Sequence, residues 1–132
     1  MKLLTTLFAL LFSSGIAADV ATITPKAAAQ LVAEGKAILV DCREPAECAE
    51  SGVAAPAVLL PKSDFDGDQK LWKKFLGSAG DKQLILYCRS GRRSGVVAAA
   101  LAAKGHNVAN AGGFNDWKSA GLPVRKVEAA KP

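Results

Sequence analysis

The sequence predicts an α/β domain, a parallel sheet of about five strands with helices on both faces. Two observations carry that reading. Short, continuous apolar runs at Ala37–Val40, Ala57–Leu60 and Gln83–Tyr87 have the length and composition of strands buried on both faces. Between them lie segments with helical start and stop signals, and strands that alternate with helices build parallel sheets. At 132 residues, half of them hydrophobic and 22% charged, the chain suits one domain with a buried core.

Residues 1–18 stand outside that domain. Lys2 precedes an apolar block from Leu3 to Phe12, and small residues follow at Gly15-Ile16-Ala17-Ala18. That order predicts a secretory signal peptide cleaved near Ala17 or Ala18. The competing reading, an uncleaved anchor, calls for roughly 20 apolar residues, and this block is shorter. No cysteine lies near the cleavage site to carry a lipid. The expectation is an exported domain over residues 19–132, periplasmic in a bacterial source, with no stable membrane insertion after cleavage.

The first helix is expected over Pro25–Glu34, with Thr24 as N-cap, Pro25 at the first helical position and Gly35 closing the end. The strand Ala37–Val40 follows. A second helix begins at Glu44-Pro45 and stops by Gly52. The run Ala57–Leu60 reads as another buried strand, ended by Pro61. A helix over Asp68–Leu76 places Leu71, Trp72, Phe75 and Leu76 on one face. The strand Gln83–Tyr87 leads through a short loop to an alanine-rich helix, Ser94–Lys104, closed by Gly105. Asn107–Asn110 reads as an edge or last strand. Phe114–Ala120 is a short helix, and Gly121-Leu122-Pro123-Val124 turns the chain away. Gly112 and Gly113 suit a tight turn, and the two tryptophans, Trp72 and Trp117, suit the core.

Without Lys2, sixteen basic residues face twelve acidic ones, a formal charge of +4. The basic residues form no long cluster and aromatics are few, so nucleic acid is not an expected partner. The cysteines are Cys42, Cys48 and Cys88. An odd number in an exported protein leaves at least one free or paired between chains.

Chemistry concentrates in Tyr87–Gly95, YCRSGRRSG. Cys88 follows the strand Gln83–Tyr87 and precedes the helix starting near Ser94, the place where open α/β sheets bind their ligands. A thiol becomes a nucleophile by losing its proton, so reactivity depends on a lowered pKa. The dipole and amides at the following helix's N-terminus favour the anion. Arg89, Arg92 and Arg93 add permanent positive charge. Ser90, Gly91 and Ser94 let successive amides converge on one anion. A core cysteine would explain the apolar neighbours but neither the arginines nor the glycine. The only histidine, His106, lies past the far end of the next helix, roughly 15 Å away, which argues against Cys–His protease chemistry.

YCRSGRRS resembles the active-site loop of the rhodanese sulfurtransferases, a cysteine with glycine three residues on and arginine two beyond it. LVDCREPAEC (Leu39–Cys48) resembles the family's Asp-x-Arg-Glu segment after a strand. GVAAPAVLLP (Gly52–Pro61) and AGGFNDWKSAGLPV (Ala111–Val124) are similar to two further family segments. The resemblance spans about residues 21–125 and points to the exported, single-domain, phage-shock type. It implies a rhodanese-like fold and a double displacement without metal or organic cofactor. Cys88 attacks the outer sulfur of thiosulfate, releases sulfite and holds a persulfide, which passes to cyanide or a thiol. Arg93 then helps bind the anion, Arg89 and Arg92 line the entrance, and amides from Arg89 to Ser94 steady the persulfide.

Rival readings remain. Phosphatases of the Cys-x5-Arg kind need five residues between cysteine and arginine to wrap a phosphate, whereas four separate Cys88 from Arg93. Loop length does not exclude a rhodanese-like arsenate reductase, nor a periplasmic thiol redox or sulfur-carrier protein. A non-catalytic binding module usually lacks the cysteine. Asp41 and Arg43 match the family's Asp-x-Arg and read as structural support. The family usually has an apolar residue at Cys42 and an aromatic at Cys48. This pair could close a disulfide or fill two small apolar positions, and one of them could resolve a Cys88 persulfide. Val53 and Leu59 replace a common histidine and asparagine, which implies a more apolar entrance.

Overall fold

The computed structural model describes residues 20–128. The expected signal peptide lies outside them. In chain order the elements are β1 (Ala21–Thr22), α1 (Pro25–Ala33), β2 (Ala37–Asp41), α2 (Pro45–Ser51), β3 (Val53–Ala54), β4 (Val58–Leu59), α3 (Lys62–Asp66), α4 (Lys70–Ala79), β5 (Gln83–Cys88), α5 (Arg92–Ala103), β6 (Val108–Gly113), α6 (Phe114–Ser119) and β7 (Val124–Arg125). Five strands form one parallel sheet in the order β1-β6-β5-β2-β4, and β3 pairs antiparallel with β7. The predicted architecture is the observed one. Among the described residues no helix is long and apolar enough to cross a membrane.

Strand alternation divides the core in two. Leu84, Leu86 and Cys88 of β5 join Val40, Cys42, Trp72, Val97 and Leu101 on the face covered by α4 and α5. Ile85 and Tyr87 join Leu39, Ala28, Phe114 and Trp117 on the face covered by α1 and α6. Both faces of β5 are therefore apolar, which is why its sequence runs without polar interruption. Trp72 is fully buried, and its edge meets Phe65 at 5.4 Å and Phe75 at 6.0 Å between ring centroids.

Local signals placed several boundaries correctly. Thr24 Oγ1 accepts the Ala27 amide at 3.2 Å, and Pro25 opens α1. Others moved. Asn107–Asn110 is no edge: β6 continues to Gly113 and lies between β1 and β5. Its sequence, VANAGG, is poor in branched apolar residues, so its strand character comes from its two neighbours. The expected buried strand at Ala57–Leu60 is an edge strand of two residues, with Val58 38% exposed. The sequence reading missed β1, β3, β7 and α3, all too short for a periodic pattern. The helix expected over Asp68–Leu76 runs from Lys70 to Ala79. Its start is set from a distance, because the Asp64 carboxylate of α3 accepts the amides of Leu71 and Trp72. Lastly, α5 begins at Arg92 rather than Ser94, which makes Arg92 and Arg93 its first residues.

Candidate active site

Cys88 is the last residue of β5, and α5 begins four positions later. Gly91 caps α5 with φ +91°, and a Cβ there would lie 3.2 Å from the Gly112 Cα. Left-handed backbone and close approach together call for glycine. This turn aims the Gly91 amide at the Cys88 Sγ, 3.1 Å away. The Ser94 hydroxyl lies 3.4 Å from the same sulfur and 2.8 Å from Asn110 Oδ1. Asn110 also donates from Nδ2 to the Gly91 carbonyl at 2.9 Å and accepts the Gly112 amide at 3.1 Å. One β6 side chain thus holds the loop, the serine and the glycine turn in one network. Gly113 closes it, since a Cβ there would sit 2.2 Å from the Arg89 carbonyl oxygen.

Burial opposes ionisation of Cys88. The Ser94 hydroxyl and the amides of Ser94, Ser90 and Gly91 outweigh it and hold the thiol below its ordinary pKa. Local hydrogen bonds lead; arginine charge is not among the chief causes, contrary to the emphasis the sequence suggested. We expect iodoacetamide to modify Cys88 at lower pH than Cys42 and Cys48, whose thiols burial pushes up. Ser94→Ala should move that reaction to higher pH, and an unchanged alkylation profile would remove Ser94 from thiolate stabilisation.

The arginines part ways. Arg93 makes a two-pronged ion pair with Glu47 of α2, at 2.6 and 2.9 Å. Arg89 lines a cleft of about 320 Å³ together with Arg43, Glu47, Glu50, Ser51, Phe114 and Asn115. Arg92 is exposed and lines neither this cleft nor the recess bordered by Ser90 and Gly91. Val53 and Leu59 do not line this cleft, and neither does Cys88.

The hydrogen bond from Arg93 lowers the Glu47 pKa from 4.5 to about 2. A depressed carboxylate stabilises the fold above its unfolded pKa and loses that contribution as pH falls through the folded one. The pair should therefore be intact above pH 4.5 and fade toward about 2. We expect the melting temperature of Glu47→Gln to be less sensitive to pH across that window than that of the wild type. Parallel acid limbs would show that the pair does not contribute.

Asp41 and Arg43 form a buried ion pair. Asp41 is fully buried and Arg43 is 4% exposed. Arg43 Nε and Nη2 grip the carboxylate at 3.1 and 2.8 Å, while Nη1 and Nη2 bond Ser51 Oγ and the Gly52 carbonyl. The guanidinium lies 4.4 Å from the Phe114 ring centroid. All three cysteines are free and buried, so no Cys42–Cys48 disulfide is formed. Strand alternation is the reason. Asp41 and Cys42 project to opposite faces, and Cys48 sits by Asp41. Burial first, then Asp41, pushes the Cys48 thiol up to about 11, while Cys42 packs in the cluster with Cys88.

Sequence reading missed two site residues. Glu47 carried a signal, a lone acid in the first turn of α2, but nothing linked it to Arg93, 46 positions away. Asn110 looked like the end of an edge strand. A polar residue inside an inner strand would have been the clue had the strand's extent been legible.

This chain belongs to the family of the Rhodanese-like domain, which matches residues 24–120. A Rhodopseudomonas palustris protein described as of unknown function, possibly a tyrosine phosphatase, is 27% identical, with 80% of this chain and 85% of that one covered and a TM-score of 0.68. A rhodanese-related protein of Thermoplasma volcanium is 25% identical, covering 80% and 97% at a TM-score of 0.66. The polysulfide-sulfur transferase of Wolinella succinogenes, 22% identical over 87% and 85%, shares the fold at a TM-score of 0.66. No curated protein matches this chain.

Proposed function

We propose that the protein is a thiosulfate sulfurtransferase. One observation carries the reading: a buried Cys88 sulfur that receives the Gly91 amide at 3.1 Å, with the Ser94 hydroxyl beside it. Such a loop stabilises a thiolate, and it would stabilise a persulfide anion by the same donors. In the first half-reaction the Cys88 thiolate attacks the outer sulfur of thiosulfate. The sulfur–sulfur bond breaks and its electron pair leaves with sulfite. In the second, cyanide or a thiolate takes the outer sulfur, giving thiocyanate or a new persulfide and restoring Cys88. Arg89 at the cleft would supply positive charge for a dianion, whereas the Arg93 charge is held in its ion pair with Glu47.

The test is an intact-mass measurement on the reduced protein. Thiosulfate should add one sulfur atom, and cyanide should remove it. No gain, with turnover of arsenate or a phosphate ester instead, would replace this reading.

We further propose that the protein works outside the cytoplasm after loss of residues 1–18. The support is the charge, apolar block and small-residue order of that segment. N-terminal sequencing of protein from a fractionated bacterial host should begin near Asp19 in the periplasmic fraction. A retained Met1 in the cytosol would reject export.

A further inference from the structure

A second thiol stands beside the nucleophile. β2 and β5 are parallel neighbours with Asp41 opposite Tyr87. The Cys42 amide donates to the Tyr87 carbonyl at 2.9 Å, which continues the register one step and brings Cys42 alongside Cys88. Adjacent strands lie about 4.8 Å apart, within the roughly 4.4–6.8 Å between Cα atoms that a disulfide spans. Alternation sends both side chains to the same face, where both are fully buried in one cluster. The strand also ends here. The Cys42 carbonyl accepts from the Lys62 amide at 3.0 Å rather than from Arg89, so the Cys42 amide makes the last bond of this ladder, directly beside Cys88.

We infer that Cys42 is a resolving cysteine that attacks the inner sulfur of the Cys88 persulfide, forming a Cys42–Cys88 disulfide and discharging the outer sulfur as hydrosulfide. This step rests on the sulfurtransferase reading. The bond between the two sulfurs of the persulfide breaks, and its electron pair leaves with the outer sulfur. The Cys42 sulfur bonds to Cys88 Sγ, and the Cys42 proton passes to the departing sulfide. Two thiol sulfurs are oxidised and one sulfane sulfur is reduced, so no outside oxidant is required. An exogenous dithiol then reduces the disulfide by exchange, becoming a disulfide itself. Burial and the neighbouring charges of Asp41 and Cys88 raise the Cys42 pKa well above the ordinary value. The thiol stays protonated and the discharge is slow. It acts when no external acceptor reaches the loop. The protein then releases sulfide and protects Cys88 from over-oxidation.

The experiment loads the purified, reduced protein with thiosulfate, removes the excess, and follows intact mass, released sulfide and the disulfide peptide map. The wild type should gain one sulfur atom, then lose it with two hydrogens as sulfide appears, and the map should join Cys42 to Cys88. Cys42→Ala and Cys42→Ser, checked for folding by their melting curves, should keep the added sulfur and release no sulfide. A wild-type persulfide that persists unpaired would overturn the inference and leave the transferase reading standing. So would a disulfide through Cys48. If thiosulfate loads neither wild type nor variants, the transferase reading fails and hydrogen peroxide decides for Cys42. Peroxide oxidises Cys88 to a sulfenic acid with loss of water, and condensation with the Cys42 thiol releases a second water. A Cys42–Cys88 disulfide in the wild type, replaced by sulfinic Cys88 in the variants, would keep Cys42 as the resolving thiol. Sulfinic Cys88 in the wild type as well would reject it.

Discussion

Replacing Cys88 with serine is expected to lower sulfur transfer to background, a loss of more than about 10³-fold, because the atom that forms the bond is gone. Serine is nearly isosteric, and its oxygen can still accept from Gly91 and Ser94, the donors that now face the sulfur. Stability should therefore change by no more than about 1 kcal/mol. The pairing of a large kinetic effect with a small thermodynamic one separates this residue from its neighbours. Thiosulfate with cyanide in a thiocyanate assay reads the first, and a urea melt reads the second. Turnover that survives in Cys88→Ser would sink the assignment of the nucleophile. A collapse of stability together with activity would mean that the loop is a packing element first.

The largest effect on stability should come from Arg43→Leu. Asp41 is completely buried, and Arg43 supplies three of the hydrogen bonds to its carboxylate oxygens. Removing one partner of a buried pair leaves an unpaired charge and costs on the order of 3–5 kcal/mol. For a domain of this size that corresponds to a drop of roughly 15–25 °C in melting temperature. The same change also releases Ser51 and the Gly52 carbonyl at the C-terminal end of α2. The double variant Asp41→Asn/Arg43→Leu should be less unstable than Arg43→Leu alone, since it leaves no buried charge. Calorimetry on the two single variants and the double closes the cycle. Additive losses would show that the pair acts as two separate packing groups.

The layered fold and the loop after Cys88 were both legible in the chain because their cues are local. Apolar runs four or five residues long, a Thr-Pro helix start and a glycine within a cysteine loop each express backbone and solvation preferences over a few residues. Those preferences predicted the layered fold and placed Cys88 at a strand end before a helix. The arginines misled in one respect. Their charge is obvious in a string of letters, but amides and a hydroxyl act at hydrogen-bond distance, and their direction exists only once Gly91 has turned the chain.

The sequence by itself determined that this is a parallel α/β domain with one cysteine set in a glycine-containing loop between a strand and a helix, since composition, periodicity and turn chemistry act along the chain. Only the tertiary structure decided the partners. Glu47 meets Arg93 across 46 positions, Asn110 reaches Ser94 and Gly91 from the neighbouring strand, and Cys42 lies beside Cys88 rather than Cys48. The physical reason is register. Which residues stand side by side in a sheet follows from strand order and from the alternation of its two faces, and a change of one residue in register would send Cys42, Cys88 or Asn110 to the opposite face.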